Sequence, residues 1–218
     1  MRIAIHLLDM TIGGLPGSSG EKSPAEKMRE LIQMEFASAL KNPITQKRID
    51  EIDARQWKIN DKFYKTGIRN PKEEAESKML DEEMGHSGVF AYNLAELHMV
   101  LEETARLKPD RIKQKEILDW LEHENAHMNV AEATGHTGLR YLLLCVEDKT
   151  VPLGVSFLPV VLTDAPDSWT PEEVLEKDIQ VLLAPRAYGN KLSPSDAHSL
   201  LSNRTLISKI AGRKNSSK

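Results

Sequence analysis

Apolar side chains recur every three or four residues through most of this chain, and two stretches abandon that rhythm for nearly continuous apolar runs. The first periodic stretch opens with Ser23-Pro24-Ala25-Glu26. Ser at the N-cap, Pro in the first turn and Glu three residues on form a capping box, so a helix is predicted over 24–41, ended by Asn42-Pro43. Ile49, Ile52, Ile59 and Phe63 share one stripe of a second helix, which is interrupted over 67–71. A third helix is expected over 72–84, with Gly85 and Gly88 read as a bend. Leu94, Leu97, Leu101 and Ala105 mark a fourth, ending before Pro109.

Beyond Pro109 the texture changes. Asp110 is a candidate cap for a long helix over 111–134, with Gly135 as its stop. Residues 139–146 and 151–162 are dense in β-branched and large apolar types and read as two strands joined by a turn at 147–150. Thr170-Pro171-Glu172-Glu173 repeats the capping box and opens a helix to 188, before Gly189. A last helix starts at Ser193-Pro194-Ser195-Asp196 and runs to 210, before Gly212. Residues 1–12 suggest a short strand and 13–21 a Gly/Ser/Pro-rich loop. The expected fold is α+β and mostly helical, with a small β-hairpin or sheet. It divides into a helical N-terminal region (1–108) without a catalytic pattern, a second region (109–212) and a basic tail (213–218).

Composition narrows the function classes. The chain has 218 residues, 40% hydrophobic and 28% charged, enough for a real core. A net charge of −4 gives no electrostatic case for nucleic acid or a membrane surface. His6 and Asp9 interrupt the apolar start, against a signal peptide. No stretch approaches the ~20 apolar residues of a membrane span. The single cysteine, Cys145, lies in an apolar run and reads as a buried thiol, so a cytoplasmic protein is expected. Gly17-Ser18-Ser19-Gly20-Glu21-Lys22-Ser23 echoes a phosphate-binding loop, but Glu21 stands where glycine must precede the lysine and would repel a phosphate.

The chemistry concentrates at His123-Glu124-Asn125-Ala126-His127, in the middle of the long helix. Histidines at i and i+4 share a face, where their nitrogens can converge on one ion. Glu124 points to the side of that face, placed to handle protons without ligating. Trp120, His123, His127, Val130 and Ala131 make this face half-apolar, and buried imidazoles need partners. A catalytic zinc has three protein ligands and an open position. Glu132, His136, Asp196 and His198 are candidates for the third. Glu132 lies nine residues after His123 and so points about 180° away on a continuous helix. His98, among Leu97, Met99 and Leu101, reads as a core or boundary residue; His6 and His86 have no spacing to recommend them.

The sequence His123-Glu124-Asn125-Ala126-His127-Met128-Asn129-Val130-Ala131, followed by Gly135, resembles the active-site helix of FtsH-type zinc peptidases, which reads His-Glu-Ala-Gly-His-Ala-x-x-Ala. The run from Ile179 to Ala187 is similar to that family's apolar helix ending Leu-x-Gly-Arg-Ala, and Ser193-Pro194-Ser195-Asp196 to its aspartate-bearing turn. Ala126 and Pro185 replace family glycines. The resemblance covers about residues 110–212 and implies a zincin-like half with zinc held by His123, His127 and Asp196, and Glu124 as general base. No ATPase module or membrane span is read before it.

The function so expected is ATP-independent hydrolysis of peptide bonds by a metal-activated water, on a peptide or protein substrate. One of the two strands would bind the peptide by edge pairing. The helical N-terminal region would gate the site, bind a protein partner or mediate assembly. Tyr188 is a candidate contact to the reacting carbonyl. A different class is also open: a catalytically inactive peptidase-like protein acting as an interaction module. A non-peptide amide substrate is a third reading.

Overall fold

The computed structural model describes residues 22–68, 70–107 and 114–216. The expected strand at 1–12, the loop at 13–21, His6 and the Asp110 cap lie outside the described residues. The described chain is mostly helical around one small sheet. Its elements run α1 (Pro24–Ala39), α2 (Gln46–Thr66), α3 (Pro71–His86), β1 (Gly88–Ala91), α4 (Leu94–Leu107), α5 (Gln114–Thr134), β2 (Thr137–Glu147), β3 (Val155–Asp164), α6 (Pro171–Ala187) and α7 (Pro194–Ser216).

Both expected capping boxes form. Ser23 and Glu26 exchange hydrogen bonds at the start of α1, as do Thr170 and Glu173 at the start of α6. The end of the phosphate-loop echo is therefore a helix cap, with Lys22 paired to Glu30. Gly67 ends α2 with φ 67° and Gly135 follows α5 with φ 88°, a region open to glycine at little cost.

The sheet is antiparallel, in the order β1-β2-β3. Its centre, β2, explains why that stretch reads as an unbroken apolar run. Tyr141, Leu143 and Cys145 point into a core shared with α1, α4 and α5, while Leu142, Leu144 and Val146 point into a second core with α2 and α3. A strand buried on both faces loses the alternation that marks a half-exposed one. Cys145 is fully buried, as expected. A third core joins Tyr64 of α2 to Val174 and Leu175 of α6 and Leu206 of α7.

Several expectations need correction. Gly88 is not a bend but the first residue of β1, a strand too short for periodicity to reveal. A Cβ there would lie 2.5 Å from Leu142 Cδ1 and 2.9 Å from the Leu143 carbonyl oxygen, so glycine lets the two strands close. The turn between β2 and β3 is longer than expected, reaching Gly154, whose φ is 73°. α7 continues through Gly212 to Ser216 rather than ending in a tail at 213. Contacts also cross residue 108: β1 pairs with β2, and Leu97, Val100 and Leu101 of α4 share a core with Leu121 of α5.

Because Leu143 is 1% exposed in the shared core, Leu143→Ala should cost about 2–5 kcal/mol. In urea titrations, tryptophan fluorescence and far-UV circular dichroism should shift together to a lower midpoint. A shift confined to one signal would mean that the two regions unfold separately.

Candidate metal centre

α5 is buried on two sides. Leu121 and Met128 pack into the core beside β2, and the Tyr141 hydroxyl of β2 donates toward Asn125 Oδ1 at 3.5 Å. The histidine-bearing face meets α6 and α7. His123 and His127 stand one turn apart on it, with Nε2 atoms 3.2 Å from each other.

Asp196 reaches this pair from the first turn of α7, 73 residues away in sequence. Its Oδ2 lies 3.0 Å from His123 Nε2 and 3.5 Å from His127 Nε2. The local sequence explains its pose. Ser193 accepts from the Asp196 N–H at 3.1 Å, while Ser193 N–H and Oγ–H donate to Asp196 Oδ2 at 3.1 and 2.7 Å. This reciprocal cap, with Asp in place of Glu, fixes the carboxylate against the helix start.

His127 is 5% exposed, and its Nδ1–H donates to the Val181 carbonyl of α6 at 2.8 Å. That bond leaves Nε2 facing His123 and Asp196. Two imidazole nitrogens and a carboxylate oxygen thus converge, all within 4.8 Å of one another. An ion with metal–ligand distances of about 2.0–2.1 Å separates tetrahedral ligands by roughly 3.3–3.4 Å. The observed 3.0, 3.2 and 3.5 Å bracket that value, so the residues fit a single small ion of mixed nitrogen and oxygen preference.

The electrostatics follow from the same contacts. Burial raises the Asp196 carboxyl, but hydrogen bonds from His123, His127 and Ser193 outweigh it and hold the group well below the ordinary range. Burial works against a charged His127, yet Asp196, the Val181 carbonyl and Glu124 together raise its pKa. Glu124 is 7% exposed, and burial pushes its carboxyl up to about 6; His127 and His123 partly offset the shift and Asp196 adds to it. Among the described residues no hydrogen-bond donor reaches Glu124. Its charge is felt by Tyr141, which burial first and Glu124 second raise to about 12.

The other candidates fall elsewhere. His136 has a fully enclosed side chain but lies outside the cluster. Its Nε2 meets Asp178 Oδ1 at 3.0 Å and its Nδ1 meets Thr134 Oγ1 at 2.9 Å. Its ring packs edge-on to Trp169 with centroids 4.9 Å apart. Lys177 covers the Trp169 ring at 4.1 Å and donates to the Thr134 carbonyl at 2.6 Å. This group fastens the end of α5 to α6. Glu132, His198, His86 and Tyr188 are exposed. His98 is also exposed, 3.7 Å from Glu102, rather than set in a core. The Val181 carbonyl and the His136–Asp178 contact were not foreseen. The signal available for the first was that a metal-ligating imidazole needs an acceptor for its other nitrogen.

Purified protein supplied with zinc should hold about one ion per chain. His127→Ala should abolish that content and Asp196→Ala weaken it, measured by mass spectrometry of the metal after dialysis. Full zinc content in His127→Ala would place the ion elsewhere.

None of the described helices is long and apolar enough to cross a membrane. No protein-family model, curated protein or solved structure compared with this chain matches it.

Proposed function

We propose that this chain is a zinc-dependent peptidase with a zincin-like site, similar in its C-terminal part to the peptidase half of FtsH-type enzymes and working without an ATPase. The observation that carries the reading is the arrival of Asp196 at the His123–His127 pair, with spacings suited to a tetrahedral ion. His123, His127 and Asp196 would hold the metal. Zinc, when bound, supplies a Lewis acid that brings the pKa of water near neutrality.

The chain's own residues account for the rest. His127 keeps its Nε2 lone pair directed inward because Nδ1–H is committed to Val181. Glu124 lies beside the cluster, on the sheet side of α5, and a neighbouring cation favours its charged form. As an ionised carboxylate it takes the proton of the attacking water. As the carbon–nitrogen bond breaks, it passes that proton to the leaving amine. Its burial suits this role, since a proton acceptor sheltered from bulk water acts on what enters the site.

Of the two strands read from the sequence, only one lies at an edge of the sheet. β2 is paired on both sides, so edge pairing falls to β3, which packs against α5 and has an open edge among the described residues. Extended peptide would bind there through backbone hydrogen bonds, with little sequence preference. Pro159 in the middle of β3 is compatible with an edge position and removes one donor from the strand.

Glu124→Gln should keep zinc and lower the turnover of a fluorescently labelled unfolded polypeptide by roughly 10²–10⁴-fold. Metal content and cleavage rate on one preparation test this together. Unchanged turnover would remove Glu124 as the base. A wild-type chain that binds zinc but cleaves no unstructured polypeptide would count against the peptidase reading.

A further inference from the structure

Val181 lies in the interior of α6, where its carbonyl would ordinarily accept the N–H of the residue four positions on. That residue is Pro185, the only proline inside the helix beyond its first turn. Proline has no N–H, and its ring crowds the carbonyl four residues back, tilting it away from the helix axis. The Val181 carbonyl is therefore released from the α6 ladder, and it is the group that accepts His127 Nδ1–H at 2.8 Å. A buried carbonyl without a partner is costly, and a buried imidazole N–H is too; here each answers the other.

We infer that Pro185 is a positioning residue for His127, acting through the Val181 carbonyl that it frees to set the ring's tautomer and direct Nε2 toward His123 and Asp196. Pro185 is less than 2% exposed and carries no group that could ligate a metal, so its effect on His127 is assigned to the backbone of α6. The His136–Asp178 contact assists. Asp178 is one turn before Val181, and its bond to His136 at 3.0 Å holds that turn of α6 against the end of α5. The tautomer part of the inference is independent of the peptidase reading, whereas its effect on metal affinity rests on the metal site proposed above.

Pro185→Ala separates positioning from plain structural support, because the two predict opposite signs. Alanine restores the N–H and suits a helix interior far better than proline, so metal-free thermal stability should hold or rise. The His127 acceptor, by contrast, should be recaptured by α6. With ¹⁵N-labelled histidine at about pH 9, in the neutral-imidazole range, the metal-free wild type should show a protected His127 Nδ1–H. Pro185→Ala should lose that protection and shift His127 toward the Nε2–H tautomer. Zinc affinity, from chelator competition, should fall about 10–100-fold. Pro171→Ala, in the first turn where no helical carbonyl is freed, should leave the His127 signal unchanged.

An unchanged His127 tautomer and zinc affinity in Pro185→Ala would overturn the inference. So would losses matched by Pro171→Ala. If the wild type showed the protected Nδ1–H and Pro185→Ala lost it while neither bound zinc, the positioning role would stand and the metal site would fall.

Discussion

The two-sided burial of α5 is the constraint on which the other arrangements depend. One side is held by the sheet through Leu121 and Met128, the other by α6 and α7 through the histidines. A helix with a single buried face could turn its imidazoles to solvent and leave them unpaired. Held between layers, the imidazoles and the Asn125 amide of α5 draw their partners from distant segments, while Glu124 is reached by no hydrogen-bond donor among the described residues. Asn125 receives Tyr141, His127 donates to Val181, and His123 meets Asp196. The same burial raises the Glu124 carboxyl to about 6, whereas Glu122, two residues earlier, lies exposed.

Much of this was legible in the sequence, and the physical reasons are specific. Capping boxes are local devices, so Ser23/Glu26 and Thr170/Glu173 announce their helices without tertiary help. β2 was legible because burial on both faces demands a continuous apolar run. β1 was not, because four residues beginning with glycine carry no periodic signal, and the strand exists only where it fits beside Leu142 and Leu143. The end of α7 misled in the opposite sense: Gly212 is a common helix stop, yet the helix continues through it.

At the site, the i, i+4 histidines and the glutamate were visible as a pattern, since helix geometry alone places them. Asp196 came from resemblance, and spacing left it level with His136. What separates the two is the fold: Ser193 aims Asp196 at the histidines, while Asp178 and Trp169 enclose His136 elsewhere. Pro185 was visible too, but only as the residue standing where the FtsH-type peptidases that the sequence resembles carry glycine. Its meaning depends on which carbonyl lies four residues earlier and what stands opposite it, and that is a property of packing.

The pairing of β1 with β2 bears on how the chain can be divided. β2 accepts β1 along one edge, and Ile44 extends that side with bonds to Cys145 and Glu147. A fragment beginning after residue 108 would carry β2 without β1 or Ile44, leaving an apolar strand with an open edge, one face stripped of α2 and α3 and the other covered by α5 without α1 and α4. Such a strand is a template for joining other chains, so a fragment cut to isolate the histidine helix would tend to aggregate. The segments before β2 thus act as its built-in cover, and the smallest unit that contains the site and keeps that edge of β2 paired extends back at least to Ile44.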